Sequence, residues 1–430
     1  VSQRMDKPIL AVCSGDFDQN TGYGINHFYP KKLKFEDIKE RLAALCFTDG
    51  CHNFDCESVY FTCEGEIRLK RQTVDKIYGV SLFRQGDDKS SKRGAVQAAV
   101  IALSTSPDYL SFYQHVMDHY LQQNLFLFMA KNKKRRKNQG KINKLLQTVY
   151  TVINNSVEGK SLVDSVMLNS KTIYDHRYFD QSPLSGHSIA KLVADFGREA
   201  MKLWYALILD HRVLITAKRA SDSSRLAMAT PLIVQPLDIT HRLRPHATVH
   251  DLDMALNEPC VVGTNHPLFM NATDDWDTIF HFDGRRVICK QFGVPNFKLS
   301  GKQKKILLSF TNALQSHDCE IWLRKQFRNL TTRFLYKVQT ATLGTRKSIV
   351  FAGWKSSALY RTYIAKHGKV SYAPDPPTGR KDSIIGKMTQ RLSVRRKSSS
   401  VPHLYFIKQT KSQASDDSSN NNSEKTSVPS

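Results

Sequence analysis

The chain has 430 residues, of which 40% are hydrophobic and 10% aromatic, and 63 Lys and Arg against 39 Asp and Glu give a net charge of +24. This length and apolar content exclude a wholly disordered chain and suffice for two or three domains. No apolar run reaches about 18 residues, so no membrane-spanning helix is expected. No N-terminal signal is readable, and we expect a cytoplasmic protein that can be recruited peripherally to membranes.

The first 130 residues are patterned as a small α/β module with a mostly antiparallel sheet. Residues 8–30 predict strand, turn and strand, because an apolar run is followed by turn formers between Asp18 and Gly24. Apolar residues at helical spacing predict a helix in "FEDIKERLAALCF". Three β-rich segments and an amphipathic helix complete this module: "SVYFTCEG", "IYGVSLFRQ", "GAVQAAVIALS" and "DYLSFYQHVMDHYLQQ".

A second patterned region begins near Ser188, after a helix predicted near 141–154. The stretch "IAKLVADFGREAMKLWYALILDHRVLITA" predicts one long helix that leads into a strand at Arg212–Thr216. We predict strands in "ATPLIVQPLDI" and "CVVGTNHPLF", and a hairpin in "DTIFHFDGRRVICK". Residues 302–367 are helical in pattern, and the composition after Ala373 predicts a disordered tail.

The positive charge is concentrated in two runs that we interpret as solvated loops. Seven basic residues lie in 131–141, and nine lie between Arg380 and Lys411 against one acid, Asp382. Such a balance predicts an anionic partner, either a lipid surface or nucleic acid. Nucleic acid is the weaker alternative, because these runs are mostly free of the aromatics that stack on bases. The first run predicts contact with an anionic membrane through Lys133, Lys134, Arg135, Arg136 and Lys137.

Motifs for covalent or nucleotide chemistry are not found. The chain has no GxxxxGK[ST], helix-opening GxGxxG, HExxH or GxSxG, so we predict no catalytic residue, cofactor or metal. Spacings of five, five and seven residues separate the clustered cysteines, whereas zinc ligands come in tighter pairs, so reduced thiols are the favoured interpretation; these are Cys46, Cys51, Cys56 and Cys63, with His52 among them.

The turn in "VVGTNHPLF" has two interpretations. Gly, Thr and Asn after a strand can cradle a phosphate, but such cradles place free N–H groups at a helix N-terminus. Pro267 has no N–H and no Lys follows in the loop, so a structural turn is favoured. Gly263 would then supply an unusual dihedral angle or a close approach, while Thr264, Asn265 and Pro267 shape the turn.

Three of these segments carry a family resemblance over about residues 8–367. The segments "AVCSGDFDQNTG", "KLWYALILDHRVLI" and "VVGTNHPLF", followed by helices, resemble DENN proteins, and within them the LCHN/Avl-type branch in the manner of a fungal LCHN-like protein. The family pattern at the turn is similar to GTTNPLF, with Asn directly before Pro, whereas here His266 intervenes.

The resemblance implies an α/β fold with a tripartite DENN architecture. Its parts would be a longin-like module, a basic linker with a helix, a central α/β module, a helical module and a disordered basic tail, at 1–130, 131–182, 183–298, 299–370 and 371–430. It also implies a guanine-nucleotide exchange factor for a Rab-type small GTPase in membrane trafficking. A trafficking scaffold of the same fold without exchange activity is the alternative.

The tail contains short patterns typical of phosphorylation sites. Arg395 and Arg396 lie three and two residues before Ser398, a spacing that basophilic kinases read. Arg396 also lies four residues before Ser400, and Pro402 lies two after it, a pattern similar to those read by 14-3-3-type adaptors. The predicted phosphorylation sites are Ser393, Ser398 and Ser400.

We therefore expect Ser400→Ala to abolish capture of the protein by a 14-3-3-type adaptor, with phosphopeptide mapping as the first measurement. Each phosphate adds about −2 charge to this cationic segment, which weakens its attraction to anionic lipid. Unmodified Ser393, Ser398, Ser399 and Ser400 in cells, or adaptor binding that survives Ser400→Ala, would contradict the switch.

Overall fold

Two five-stranded sheets and the helices packed on them make up the described part of this computed structural model. The structure describes residues 9–18, 22–31, 38–69, 72–87, 95–107, 109–128, 135–157, 165–168, 171–175, 187–239, 242–251, 258–271, 275–292, 308–310, 314, 319–340, 354–355 and 357–370. The predicted α/β class is confirmed. In these ranges no helix is long and apolar enough to cross a membrane. The tail predicted over 371–430 lies outside them.

The first sheet is antiparallel throughout and has the strand order β2-β1-β5-β4-β3. Its strands are β1 Ala11–Asp18, β2 Gly22–Tyr29, β3 Cys56–Leu69, β4 Gln72–Asp87 and β5 Ala95–Ser104. Helix α1, Lys39–Cys46, packs on one face against side chains such as Cys13 and Phe61. The local hairpins and alternating apolar residues explain why sequence patterns predicted these elements.

Two helices cover the other face of this sheet. They are α2, Leu110–Asn124, and α3, Arg135–Val157, and their buried side chains join one core with β1, β4 and β5. The basic run 131–141 was predicted as a solvated loop, but from Arg135 onward it is helical, which corrects that prediction. Lys, Arg and Gln carry little helix penalty, and the apolar face from Ile142 onward anchors the turns before it.

A short hairpin, β6 Ser165–Leu168 and β7 Lys171–Asp175, precedes the central region. There the predicted long helix is two helices, α4 Ile189–Phe196 and α5 Ala200–Ile208. Gly197 ends α4 with a φ of 51°, a conformation that glycine adopts without steric cost, and a single 3-10 turn follows. The predicted single helix is therefore wrong at this glycine.

The second sheet has the order β12-β11-β8-β10-β9. Strands β8 Val213–Ala217, β9 Leu243–Arg244, β10 Val261–Thr264 and β11 Thr278–Phe282 run parallel, and β12 Val287–Phe292 closes the predicted hairpin antiparallel to β11. Helix α7, Pro267–Asn271, follows β10. Alternate residues of β8 face opposite cores, with Val213 and Ile215 on one side and Leu214 on the other.

Helix α6, Ala220–Val234, lies between β8 and β9 in the chain and is buried on nearly every side. Its last turn was predicted as a strand in "ATPLIVQPLDI", and that prediction is wrong. Pro231 lies inside the helix and cannot donate to the carbonyl of Ala227, but the Thr230 hydroxyl donates to that oxygen at 2.8 Å. A helix that is apolar all round shows no period that would separate it from a buried strand.

Helices α8, Cys319–Thr340, and α9, Ala358–His367, complete the described structure, and α8 packs against α4 and α6. Glu320 of α8 caps α4, because its carboxylate accepts hydrogen bonds from the N–H groups of Ile189 and Ala190, both at 3.0 Å. Arg324 holds that carboxylate at 2.9 Å. Burial, with Arg324 nearby, lowers the pKa of His187 to about 3, so this side chain is neutral.

Replacing Glu320 by Ala should lower the free energy of unfolding by about 2–4 kcal/mol, because it uncaps α4 and leaves the buried Arg324 without a counterion. Thermal and urea denaturation measure this change. The matched control is Glu258→Ala at an exposed site, with an expected change below about 0.5 kcal/mol. Equal losses in the two variants would contradict the cap.

Candidate functional site at the joint between the sheets

The region of the first sheet contacts the second, central sheet at the edge where the parallel strands β8, β9 and β10 end. We call this contact the joint. Open parallel sheets bind their ligands at this carboxyl edge. Here the loop after β8 sends Arg219 to the first sheet, where its Nη2 donates to the carbonyl of Cys56 at 2.8 Å. The loop after β10 sends Asn265, whose Nδ2 donates to the carbonyl of Asp49 at 2.7 Å. The first sheet thus covers the edge at which a ligand would be expected.

Five charged side chains of alternating sign run across the joint: Arg41, Asp251, Arg244, Glu64 and Lys76. Arg41 and Arg244 both contact the Asp251 carboxylate, and Arg244 also pairs with Glu64. Lys76 Nζ lies 2.8 Å from Glu64 Oε1. Each carboxylate therefore lies between two cations. Arg41 comes from α1, Glu64 and Lys76 come from the first sheet, and Arg244 and Asp251 come from β9 and the loop after it.

The electrostatics of Glu64 show how this string is balanced. Burial acts to raise the pKa of Glu64, but hydrogen bonds and charges from Lys76 and Arg244 outweigh it and lower the pKa. Asp251 is also held by its own loop, since Thr248 donates to it through its backbone N–H at 2.9 Å. The lowered pKa keeps Glu64 ionised at the joint, and the hydrogen bonds of Asp251 fix the loop after β9.

The turn after β10 belongs to the same joint. His266, the residue that departs from the family pattern, places its Nε2 3.1 Å from Asp49 Oδ2. The Thr264 hydroxyl donates to the carbonyl of Ala247 at 3.0 Å, which ties the turn to the loop after β9. Thr264, Asn265 and His266 therefore hold two central loops and one loop of the first sheet together.

Gly263 lies inside β10, and its backbone has no left-handed dihedral angle. A dihedral requirement is therefore the wrong explanation for this glycine. A Cβ atom there would lie 2.1 Å from the carbonyl oxygen of Pro245 and 2.9 Å from that of Ser223, so two other backbone segments occupy the space. The close approach allows the Ala247 N–H to donate to the Gly263 carbonyl at 2.8 Å.

The N–H groups at the start of α7 are already engaged within the turn. The N–H of His266 donates to Thr264 Oγ1 at 3.0 Å, and that of Leu268 donates to His266 Nδ1 at 3.3 Å. Pro267 occupies the first helical position, where its missing N–H costs nothing. These contacts support the structural interpretation of the turn, because they leave these donors unavailable to a phosphate.

A buried histidine lies beneath the turn. His246 is 3% exposed, and its Nδ1 has no hydrogen-bond partner. The pKa of His246 is lowered to about 4, mainly by burial; Asp251 opposes the shift, and His266 adds to it. His246 is therefore neutral in the folded protein and packs as part of the joint.

Glu57 of β3 makes the joint reach the buried helix α6. Its Oε1 accepts from the backbone N–H of Ser221 at 3.4 Å, and its Oε2 accepts from the Thr48 hydroxyl at 3.0 Å. A negative charge at this position stabilises the N-terminal end of α6, where the helix dipole is positive. The N–H of Tyr60 also donates to the Ser224 hydroxyl at 3.4 Å, so β3 and α6 are bonded directly.

The outer rim of the joint carries two exposed aliphatic side chains. Val249, in the loop after β9, is 46% exposed, and Leu268, in α7, is 50% exposed. Both follow the carboxyl ends of neighbouring strands, and His250 beside Val249 is exposed as well. The rim is thus a place where a protein partner could bury apolar surface.

The clustered cysteines differ in exposure. Cys46 at the end of α1, Cys51 and Cys63 are buried in the core between α1 and the first sheet, whereas Cys56 is exposed. Burial raises the pKa of the Cys51 and Cys63 thiols to about 12, which makes them unreactive. Within the described ranges, no group of three or more His, Cys, Asp or Glu residues could hold a metal ion.

The predicted site residues fall in three places. Gly263, Thr264, Asn265 and Pro267 lie at the joint. Arg135, Arg136 and Lys137 lie in the first turn of α3, while Lys133 and Lys134 lie outside the described residues. The predicted phosphorylation sites Ser393, Ser398 and Ser400 also lie outside them. Sequence reasoning missed the charge string, because its members are single charges up to 210 positions apart.

Fold and sequence comparisons together define a DENN-domain protein. A family model described as "Transport protein Avl9" matches residues 9–233, and one described as "Stabilization of polarity axis" matches residues 186–291. The mouse "Protein DENND6A" is 21% identical over 418 residues, which cover 82% of this chain and 68% of the mouse protein. The chain belongs to the Avl9 transport-protein family, and the predicted DENN resemblance of the Avl type is confirmed.

Replacing Gly263 by Ala should destabilise the protein by about 3 kcal/mol, because the new methyl group would collide with two carbonyl oxygens that cannot move aside. Gly140→Ala in α3 is the matched control, since nothing lies within 4 Å of the place its methyl group would take and a gain of about 0.5–1 kcal/mol is expected. Chemical denaturation measures both. Full stability with a selective loss of partner binding would instead assign Gly263 a direct functional role.

Proposed function

We propose that this protein is a guanine-nucleotide exchange factor for a Rab-type small GTPase and that the rim of the joint binds the GTPase. Membership of the Avl9 family carries the proposal, and the position of Val249 and Leu268 on the joint supports the location. Such a factor needs no nucleophile, cofactor or metal of its own. It acts by binding another protein. The polar groups of the joint, which hydrogen-bond to one another, agree with a binding role.

The mechanism follows from linkage between two binding equilibria. An exchange protein that binds the nucleotide-free GTPase more tightly than the nucleotide-bound form must lower the affinity of the GTPase for nucleotide by the same ratio. It does so by holding a switch loop away from the phosphates and Mg²⁺. The carboxyl edge suits this task, because the charge string and the bonded turn fix Val249 and Leu268 on a rigid base.

The basic run supplies the proposed membrane contact. Lys133, Lys134, Arg135, Arg136 and Lys137 precede or open α3, and an anionic lipid surface attracts each cation by about 1 kcal/mol. The run would hold the factor near a membrane-anchored GTPase, and phosphorylation of the tail would weaken that attraction. For the module boundaries we keep the proposal made from the sequence, at 1–130, 131–182, 183–298, 299–370 and 371–430.

Purified protein should accelerate release of labelled GDP from at least one member of a Rab panel assayed with lipid present. Val249→Asp and Leu268→Asp should each reduce that acceleration about tenfold or more, because a charge would be buried at the contact. Ile288→Asp is the matched control, since Ile288 is 40% exposed on β12 at the opposite edge of the sheet.

Two outcomes would contradict the proposal at different points. If no GTPase of the panel responds, the protein acts as a trafficking scaffold of the same fold. If one responds and the Val249 and Leu268 variants exchange at the parent rate, the GTPase binds elsewhere. Melting temperatures of all variants separate loss of contact from loss of fold.

A further inference from the structure

Helix α8 has an exposed stripe that the proposed exchange function does not use. Its core side carries Leu323, Phe327, Leu335 and Val338. On the other side, positions 321, 325, 328, 332 and 336 recur every three or four residues and form one solvent-facing line. Ile321 in this line is 69% exposed, although it is a large aliphatic residue.

The stripe lies in a strongly basic region of the sequence. Residues 299–370 contain fourteen Lys and Arg but only two acids, a net charge of +12 that is half of the total of +24. Of the two acids, Glu320 is taken by α4 and Arg324. Among the described residues no carboxylate pairs with the exposed Lys325 or Arg328.

Helix electrostatics explain only part of this charge. Lys337 and Lys366 lie in the last turns of α8 and α9, where cations suit the helix dipole. Lys325 and Arg328 lie within the first half of α8, three residues apart, where like charges repel and lower helix stability. Two exposed cations that pair with no carboxylate of the described residues favour an anionic partner.

Helix α9 carries cations of its own. Arg361 lies in α9 and Lys369 follows its end, and both are exposed. Burial raises the pKa of Tyr363 in α9, and the charge of Arg328 in α8 opposes that shift.

The apolar side chains distinguish between the possible anions. Leu308 is 62% exposed and lies two residues before Phe310, whose ring contacts Trp322 beside Ile321 with centroids 5.7 Å apart. Ile321 lies in the first turn of α8, and Leu308 is near in sequence to the ring that contacts this turn. Nucleic acid rewards aromatic stacking and planar arginines, whereas aliphatic groups beside lysines suit the boundary between lipid headgroups and acyl chains.

We infer that the exposed stripe of α8, with the adjoining cations of α9, is a docking surface for an anionic membrane, into which Ile321 and Leu308 insert. This surface is separate from the basic run at the start of α3 and from the rim of the joint. It requires no exchange activity, so its test fails or succeeds independently of the proposed function.

The experiment is co-sedimentation of the full chain with phosphatidylcholine vesicles that contain or lack phosphatidylserine, at low and physiological salt. Lys325→Gln together with Arg328→Gln should weaken binding to the anionic vesicles about 25-fold, since each cation contributes about fivefold. Ile321→Ser should weaken the binding that persists at high salt. The control removes the same charge from the β11–β12 hairpin, as Arg285→Gln with Arg286→Gln, and should bind like the parent.

Three results would overturn the inference. If the stripe and hairpin variants lose vesicle binding equally, the vesicles are attracted by the net charge of the protein and not by a defined surface. Parent-like binding by the stripe variant, with binding lost in Arg135→Gln, Arg136→Gln and Lys137→Gln, would place the contact on α3 alone. Tighter binding of the parent to an RNA oligonucleotide than to vesicles, lost in the stripe variant, would assign the surface to nucleic acid.

Discussion

Burial of α6 is the constraint on which the remaining structure depends. This helix contacts β3 of the first sheet, β8 and β10 of the second and α8, so it has almost no surface left for water. Small residues such as Ala220, Ser223 and Ala227 allow these neighbours to approach closely, and the N-terminal end is bonded to a carboxylate of the first sheet. Because one helix packs against both sheets and α8, these elements cannot be repositioned independently.

This constraint explains why the joint is closed to small molecules. The edge at which parallel sheets usually bind small molecules is closed by Asn265, His266 and Arg219, which reach across to the first sheet. What remains for a partner is the rim, where Val249 and Leu268 project from segments next to half-buried ion pairs. Such a surface suits recognition of another protein, whose affinity comes from a few well-supported contacts.

What was predictable from sequence depended on local signals such as turn formers and helical spacing. The strands of the first sheet are buried on both faces and were readable as short β-rich runs between turn formers, whereas the solvent-exposed side of α2 made its helical period readable. Helix α6 has no solvent face, and its end was mistaken for a strand. The role of Gly263 depends on Pro245 and Ser223, which only the fold brings near, and the charge string joins residues with no local signature. Packing against distant segments decides such features, and short patterns do not encode it.

The two carboxylate caps have a consequence for how the chain acquires its structure. Glu320 lies 130 positions after Ala190, the helix start that it completes, and Glu57 lies 164 positions before Ser221. The central region therefore depends on contributions from both ends of the folded chain, and α4 stays unfinished during synthesis until α8 has emerged. Contacts of such sequence separation slow folding and expose intermediates to aggregation. A shortened chain that ends before residue 319 would retain an open α4 terminus and would be a natural client for chaperones.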